Sequence, residues 1–448
     1  MFKRFFGEVK KLNLSEKLLL ALVFVLPFER IPSFELGGFT IKLSLLVGIV
    51  LMTVVAWQNL RLGGSRNRLS LPLLMPGLLL IYSLATIIWV GDKGDWLRVN
   101  LVLGFMVMLF YGCCRVVSES KYKERLTELI AISVLFSAGV VMAFGFFQWF
   151  GDLLGLGKNL TGIRPEYTAD KLGLTRMHSV LLEPLYFGLY LLLPLGILWA
   201  DRTGRVVKNF YSRFSFIALI YLSILISLAR GAIVASVVVG VIGLIYNFEE
   251  LRKKLKAKDL ARIGLISVVL LGMLIVSTSL LGKKGTDEDH SYQKGFSTIV
   301  GHLETIKPWG NKEDAKDQNS ISSRDEARSK AWNVLTDNKT NFLFGVGAGQ
   351  YGERYSETSN FVLLDVWVEY GLIGLLLVIA FFASIFMVVL KTKEVLLKTV
   401  QVLVIGFTLY LIGFVVQSIT FGELGVTHLW VMSAICLGLI KDSTPSSA

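Results

Sequence analysis

Five arginines give this sequence its clearest capacity for chemistry. A guanidinium group keeps its charge and presents a planar fork of donors that matches the oxygens of a phosphate. The five are Arg164, Arg176, Arg230, Arg324 and Arg328. The adjacent apolar segments supply no equal set of acidic partners. If the fold brings these side chains to one face, they would form a site for an anion with two or more phosphates.

Structural explanations are also open for these arginines. Arg230 interrupts the apolar run FSFIALIYLSILISLARGAIVASVVVGVIGLIY at 214–246. A charge at the centre of a membrane costs roughly 2.5–3.5 kcal/mol on insertion scales. Arg230 could therefore reach lipid headgroups or hold a helix end. Arg324 and Arg328 could lie on a solvated helix face.

A proton acceptor would have to come from a small set of titratable residues. Glu183, in LLEPLYF, stands before a proline at the start of an apolar run. A carboxylate there must be desolvated, paired or protonated, so an ion pair with Arg176 and a catalytic role are both open. His178 and His302 are further candidates for a general base. His428, near the start of the last apolar run, is expected to be a packed polar residue.

The elements that carry these residues are predicted to be membrane-spanning helices. The sequence is 53% hydrophobic and 18% charged, with a mean hydropathy of +0.61, which lies well outside the range usual for soluble proteins. Apolar runs long enough to cross a membrane as a helix recur along the chain. We predict about twelve spans, near 17–30, 38–57, 71–90, 97–115, 126–150, 179–200, 213–229, 231–247, 263–281, 360–390, 397–416 and 425–440.

The distribution of basic residues predicts how these spans are oriented. Lysine and arginine are concentrated in alternate connections, and the positive-inside rule makes those connections cytoplasmic, with both termini inside. The net charge of +12 is then explained without a nucleic-acid partner. Basic segments flank the run at 214–246 on both sides, so an even number of spans lies between them. The run is therefore a hairpin, and Arg230 falls at its outer turn.

The predicted topology divides the chain into three parts. Residues 1–281 would hold the first nine spans, with an outer loop at about 151–178. Residues 282–359 would form a periplasmic lid of short helices. Residues 360–448 would contain the last three spans and a short cytoplasmic tail.

Two features of the predicted lid suggest how it is built. Ser322 or Ser323 could cap a helix that continues to about Asp337. The apolar face of this helix, expected to pack on the membrane domain, consists of Ala327, Ala331, Trp332 and Leu335. The glycines of GVGAGQYG at 345–352 could let the lid turn back into the next span, or their amides could form a nest for a pyrophosphate.

Three stretches between residues 227 and 374 carry motifs in a fixed order. They are SLARGAIVA, RSKAWNVLTDNKTNFLFGVGAGQY and SNFVLLDVWVEYGLIGLLL. They resemble three motifs of the bacterial O-antigen ligase and O-antigen polymerase superfamily. The first resembles its Ser-x-x-Arg-Gly hairpin, and the second its Arg-x-x-x-Trp helix with a Gly-x-Gly turn. The third resembles its His-Asn-x-x-Leu stretch, which leads to a Glu-x-Gly-x-x-Gly span. Members of this superfamily transfer sugar chains from lipid pyrophosphate carriers.

The resemblance implies roles for particular residues. Arg230 and Arg328 would bind and activate the lipid pyrophosphate, and the other three arginines would complete its site. Where ligases carry a histidine that acts on the acceptor hydroxyl, this sequence has Ser359, and serine is a poor base at neutral pH. Glu183 is our first substitute for that histidine and His178 our second. The residues expected on the acceptor side or in the lid are Ser359, Asn360, Trp332 and Gly347.

The function implied is glycosyl transfer at the periplasmic face of the bacterial inner membrane. The EPLYF stretch is more similar to polymerases, which favours polymerisation of undecaprenyl pyrophosphate-linked repeat units into O-antigen or exopolysaccharide, with inversion and without a metal or other cofactor. The alternatives are a ligase that transfers the glycan to lipid A–core and a transporter of lipid-linked oligosaccharide. The expected partners are the lipid-linked glycan, a glycan or lipid acceptor, membrane lipid and a chain-length regulator, with no nucleic acid.

Overall fold

The protein is built almost entirely of helices wherever its structure is described. The computed structural model describes residues 7–30, 33–36, 39–62, 71–168, 175–254, 318–355, 358–392, 396–420 and 423–440. Within these ranges all the β-strands belong to one two-stranded sheet. The predicted class, an all-helical polytopic membrane protein, is therefore supported, while the number and orientation of its spans stay predictions.

Apolar helices coincide with the predicted spans. Those of the described residues are α1 (Leu14–Val25), α2 (Leu43–Leu62), α3 (Leu71–Ala85), α4 (Lys93–Ser118), α5 (Lys123–Leu153), α7 (Pro184–Ala200), α8 (Phe210–Ser227), α9 (Arg230–Lys254), α13 (Val362–Thr392), α14 (Lys398–Gln417) and α15 (Thr427–Ile440). Among the described residues, eight helices are long and apolar enough to cross a membrane, whereas α7 and α15 are shorter apolar helices. The predicted span at 263–281 lies outside the described residues.

Short elements connect these helices. They are α6 (Lys158–Thr161), α10 (Gln318–Thr336), α11 (Lys339–Phe344), α12 (Gln350–Tyr355), and the 3-10 turns Thr86–Ile88, Pro165–Tyr167 and Ser418–Thr420. An antiparallel hairpin of β1 (Ser33–Leu36) and β2 (Phe39–Lys42) lies between α1 and α2, with Ser33 opposite Lys42. The predicted second span began too early, because residues 39–42 are strand and the helix begins at residue 43.

The nearly fully buried helix α7 lies at the centre of the bundle. It packs against α8, α9 and α14, and almost every side chain from Phe187 to Ala200 is buried. Where α7 crosses α14, the backbones of Gly196 and Gly406 touch, since a Cβ on Gly196 would overlap the Gly406 carbonyl oxygen. Small residues at such crossings let helices approach closely in a membrane.

Helix α10 packs on the membrane domain through the face that the sequence predicted. Ala331 and Leu335 are fully buried and form one apolar cluster with Leu364 and Val368 of α13. Trp332 is the exception, because its side chain is 50% exposed and only its edge contacts another ring. The predicted cap is wrong: α10 already begins at Gln318, so the two serines at 322 and 323 lie inside the helix.

The helix ends form two contrasting faces. At one end, the connections predicted to be cytoplasmic meet, and Lys121, Arg205 and Lys398 line the same cavity. At the opposite ends of the same helices lie Arg176 and Arg230. We call this second face the arginine end, and it is the face that the sequence predicts to be periplasmic.

Candidate active site

A tight turn places Arg230 at the arginine end. Helix α8 ends at Ser227, Leu228 adopts the left-handed conformation with φ 52°, and α9 begins at Arg230. The predicted hairpin is therefore present, and each leg extends beyond the apolar run to reach a full helix length. A left-handed conformation costs a residue other than glycine about 1–2 kcal/mol, so neighbouring contacts must hold this turn.

Arg176 supplies those contacts. Its Nε donates to the Ser227 carbonyl at 3.2 Å, and a terminal nitrogen donates to the Leu228 carbonyl at 3.4 Å. Burial lowers the pKa of this guanidinium, and the nearby charges of Arg230 and Arg324 lower it further. Arg230 and Arg324, from two other parts of the chain, therefore both lie within electrostatic range of Arg176. This repulsion is relieved when an anion binds among them.

The segment that carries Arg176 is buried without being helical. Residues 175–183 run from the outer loop into α7, and Ser179 has a φ of 59°. The side chain of Gln148 on α5 bonds both the amide and the carbonyl of Ser179, at 2.8 and 3.1 Å. These two bonds satisfy polar groups of a buried and irregular backbone, so α5 holds this segment in place.

Arg164 is more fully engaged with its own loop. It forms an ion pair with Glu166 at 2.7 Å and donates to the Leu182 carbonyl at 3.0 Å. The Tyr167 ring lies between two guanidinium groups, with its centre 5.7 Å from that of Arg164 and 5.6 Å from that of Arg176. Arg164 is thus held by Glu166, whereas Arg176 belongs to the three-arginine group.

Arg328 anchors the lid helix to the membrane domain. It donates to the Ile419 carbonyl at 2.5 Å, in the 3-10 turn that follows α14, and lies 3.9 Å from Asp325. Arg324, one turn earlier on α10, is the lid arginine within range of Arg176. The structure thus brings Arg324 into the three-arginine group and shows Arg328 bound to the backbone beside it.

Glu183 is exposed, contrary to the expectation that it would be desolvated or paired. It occupies the N-cap position of α7, and its side chain makes no capping bond there. No ion pair of Glu183 is found among the described residues. Its carboxylate is nevertheless within electrostatic range of Tyr167 and Arg176. The Glu183 carboxylate is therefore an exposed group beside Arg176.

His178 is fully buried beside the same loop. Its Nε2 accepts a hydrogen bond from the Arg164 amide at 3.3 Å, and its ring lies 5.5 Å from the Tyr167 ring. Burial, followed by the nearby charge of Arg30, lowers the pKa of His178 to about 4. The other histidine of the site region, His428, is packed edge-on against Tyr410 as expected, and His302 lies outside the described residues.

The residues expected on the acceptor side make local contacts. The Ser359 amide donates to Asp365 Oδ1 at 2.8 Å, and its buried hydroxyl donates to the Phe361 carbonyl at 3.2 Å. Asn360 has a φ of 55° and donates to the Thr358 carbonyl. These bonds shape the start of α13, and they leave Ser359 little freedom to contact a substrate.

The glycine-rich segment is a turn and not a nest. Gly345, Gly347 and Gly349 all have positive φ, which glycine adopts without a steric penalty. The amides that a nest would offer are already bound: the Gly347 amide donates to the Glu369 carbonyl at 2.9 Å, and the Gly349 amide donates to the Glu369 carboxyl. The segment therefore docks the lid against α13.

Several polar residues at the arginine end were missed by the sequence analysis. Tyr186 on α7 donates a hydrogen bond to Glu423, which precedes α15. Glu29, just after α1, is buried, with 3% of its surface exposed. Each lies near the end of an apolar run and two residues from a proline or glycine: Tyr186 from Pro184, Glu423 from Gly425, and Glu29 from Pro27. Their clustering depends on helix packing, which no local pattern reveals.

Together these features define a polytopic helical membrane protein with a group of arginines at one end, to which the short helix α10 contributes. Residues 214–379, from α8 into α13, match the family model described as O-Antigen ligase. This match supports the O-antigen ligase and polymerase superfamily, and with it a glycan-processing role and enzyme status of the glycosyltransferase type. No curated protein matches the chain.

Proposed function

We propose that the protein polymerises repeat units linked to undecaprenyl pyrophosphate at the periplasmic face of the bacterial inner membrane. One observation carries this proposal: Arg230, at the start of α9, and Arg324, on α10, both lie within electrostatic range of Arg176. A lipid pyrophosphate places two phosphates at this depth while its hydrocarbon chain stays in the bilayer. The matched family processes glycans of the kind that such lipids carry.

The arginines assist departure of the pyrophosphate. The acceptor hydroxyl attacks the anomeric carbon of the donor sugar, and the bond from this carbon to the phosphate oxygen breaks. Negative charge then develops on the leaving group, where each charge-assisted hydrogen bond contributes about 1.5–3 kcal/mol. Arg230 at the first turn of α9 and Arg324 on the lid approach this charge from different elements. A single displacement of this kind inverts the anomeric configuration.

Glu183 is the proposed proton acceptor. Its carboxylate is exposed and lies within electrostatic range of Arg176, so it can reach an acceptor hydroxyl. His178, the second candidate, is buried and already accepts a hydrogen bond from the backbone. A positioned base contributes about 10²–10⁴-fold to such a reaction.

Ligation is the second candidate function. It is favoured by the description of the matched family as O-Antigen ligase. The serine at 359 and the EPLYF stretch favour polymerisation, because the histidine typical of ligases is replaced. In both reactions the arginines would bind the same leaving group, and the acceptor alone would differ.

The test is a gel profile of surface polysaccharide from a strain of the source bacterium that lacks the gene. Collapse to a single repeat unit on the core would establish a polymerase, and long chains left on the lipid carrier would establish a ligase. Complementation with Arg230→Ala, Arg328→Ala or Glu183→Gln should lower long-chain product about 100-fold or more at matched protein level.

Lys330→Ala is the matched control. Lys330 lies on α10 beside these arginines but pairs with the exposed Glu326 at 2.9 Å, so this variant should restore the normal profile. Normal profiles from all three site variants would contradict the catalytic assignments. A deletion strain with unchanged polysaccharide would contradict the proposed function itself.

A further inference from the structure

A second polar group lies beside the arginines and is acidic. The Tyr186 hydroxyl donates to Glu423 Oε2, and Glu29 lies within electrostatic range of both side chains. We call Glu29, Tyr186 and Glu423 the carboxylate pocket. It is built from the end of α1, the first turn of α7 and the segment before α15, so three distant parts of the chain meet there.

Glu29 points to a ligand because its burial is not matched by bonding. Its side chain is 3% exposed, and its Oε2 has no hydrogen-bond partner among the described residues. A buried polar atom left in this state costs about 1–3 kcal/mol. Lys42 is within electrostatic range of Glu29, but Oε2 receives no hydrogen bond from a described residue and can accept one from a bound molecule.

Other buried side chains in this part of the bundle also carry unpartnered polar atoms. Tyr410 Oη lies within electrostatic range of Glu29, and the His428 ring packs against Tyr410 with a centre-to-centre distance of 5.6 Å. Tyr410 Oη, both ring nitrogens of His428 and Oε1 of Gln417 are buried without a partner among the described residues. The interior behind the pocket therefore offers both donors and acceptors.

The carboxylate pocket adjoins the arginine group through the 3-10 turn Ser418–Thr420. Arg328 binds the Ile419 carbonyl of this turn at 2.5 Å. A Cβ on Gly231, the residue after Arg230, would overlap the Thr420 hydroxyl. The turn is thus in contact with both arginine-bearing helices, and Glu423 follows it by three residues.

Glu183 lies between the two groups. Its charge is within range of Arg176 on one side and of Tyr186 on the other. Glu183 is the N-cap residue of α7, and Tyr186 lies in the first turn of that helix. A molecule that extended from the arginines to the pocket would therefore pass Glu183.

We propose that the carboxylate pocket is the subsite for the acceptor sugar. Carboxyl oxygens can accept hydrogen bonds from neighbouring hydroxyls of one sugar ring, and such a ring carries no phosphate that a carboxylate would repel. Glu423 Oε2 is bound by Tyr186, while Oε1 faces Gly425, where a Cβ would lie 3.2 Å away.

This inference rests on the proposed function, since it assigns the acceptor of the same reaction to this pocket. Glu423 and Tyr186 would touch the sugar. Glu29, deeper in the bundle, would bond to it through Oε2. The division of the site predicts that the phosphate-binding and sugar-binding capacities of the protein can be lost separately.

The experiment measures binding of two probes to the full chain in lipid nanodiscs. The first probe is undecaprenyl pyrophosphate, and the second is the lipid-free repeat-unit oligosaccharide hydrolysed from the polysaccharide of the source strain. Glu423→Gln should weaken oligosaccharide binding at least tenfold and leave pyrophosphate binding unchanged. Arg230→Ala should produce the opposite pattern. Glu249→Gln is the matched control, because Glu249 is exposed at the other end of α9 and pairs with Arg202 at 2.7 Å.

Other outcomes overturn the proposal. Oligosaccharide binding that is undetectable in the wild type, or unchanged in Glu423→Gln, would leave the pocket a hydrated structural site. Loss of both probes in Glu423→Gln would show a general structural role, which Glu29→Gln tests a second time. The proposed function is judged separately by the polysaccharide profile of the deletion strain, so either idea can fail alone.

Discussion

His178 is the residue whose chemistry the fold changes most. From sequence it was a candidate base, because an unperturbed imidazole titrates near neutral pH. The fold buries the ring and uses Nε2 to bind the Arg164 amide. A residue in this position stabilises the loop, whereas a base must reach the acceptor hydroxyl. Glu183 meets that condition because its side chain is exposed.

The buried imidazole predicts a specific loss of stability in acid. Its pKa is about 4 in the folded protein and about 6.5 in the unfolded chain. Between these values the unfolded chain binds the extra proton, so the free energy of unfolding falls by up to about 3 kcal/mol as the pH decreases. His178→Phe should remove this contribution. Melting temperatures of purified protein at pH 7.5 and 4.5 should therefore differ less for the variant than for the wild type, and equal differences would contradict the prediction.

At the scale of elements, sequence patterns located the helices better than their ends. Apolar runs of the right length require a helix in a membrane, which explains the agreement over α2 to α5 and α8 to α9. The ends depend on single residues. Pro184 forces Glu183 out of the helical region, with φ −147° and ψ 163°, so α7 begins five residues later than predicted. The hairpin at 33–42 was not predicted, because residues 39–42 were assigned to the second span and 33–36 to the connection before it.

Sequence patterns likewise identified one part of the candidate site and not the other. The arginines could be found from sequence because charge beside apolar runs is rare and needs a reason. The carboxylate pocket could not, because its central bond joins Tyr186 and Glu423, which are 237 residues apart. Glu29 and Glu423 looked like ordinary charges at span ends. Only the packing of α1, α7, α14 and α15 makes them neighbours.

Gly371 provides a test of how the lid is joined to the membrane domain. It breaks α13 with a φ of 64°, and a Cβ there would overlap the Leu343 carbonyl oxygen at the end of α11. Gly371→Ala should therefore destabilise the protein by about 2 kcal/mol or more, through strain and the loss of this contact. The measurement is the melting temperature of the purified variant, together with protease sensitivity of the lid.

Gly139→Ala is the control for this substitution. Gly139 lies within α5, and nothing lies within 4 Å of the position a Cβ would take. Alanine favours a helix over glycine by about 1 kcal/mol, so this variant should be as stable as the wild type or more stable. A Gly371→Ala protein as stable as Gly139→Ala would show that the lid does not need this junction.

At the scale of the whole molecule, the two ends of the bundle carry different kinds of charge. Basic connections predicted to be cytoplasmic line one cavity, while the arginines and carboxylates of the candidate site meet at the other end. The positive-inside rule compares the basic residues on the two faces. Substrate-binding arginines add positive charge to the outer face and so reduce the difference between the faces. The predicted orientation rests on the connections at the first end, which carry more lysine and arginine.

Cysteine labelling tests this orientation directly. Lys158, in the outer loop, and Lys208, between α7 and α8, are both exposed. The native cysteines at 113, 114 and 436 are buried, so the wild type should stay unlabelled and serve as the control. In spheroplasts, a membrane-impermeant maleimide should label Lys158→Cys, whereas Lys208→Cys should react only after lysis. The reverse pattern would place the arginine end in the cytoplasm, where the proposed lipid-linked donor would have to be presented from the opposite leaflet, and the proposed function would fail with the topology.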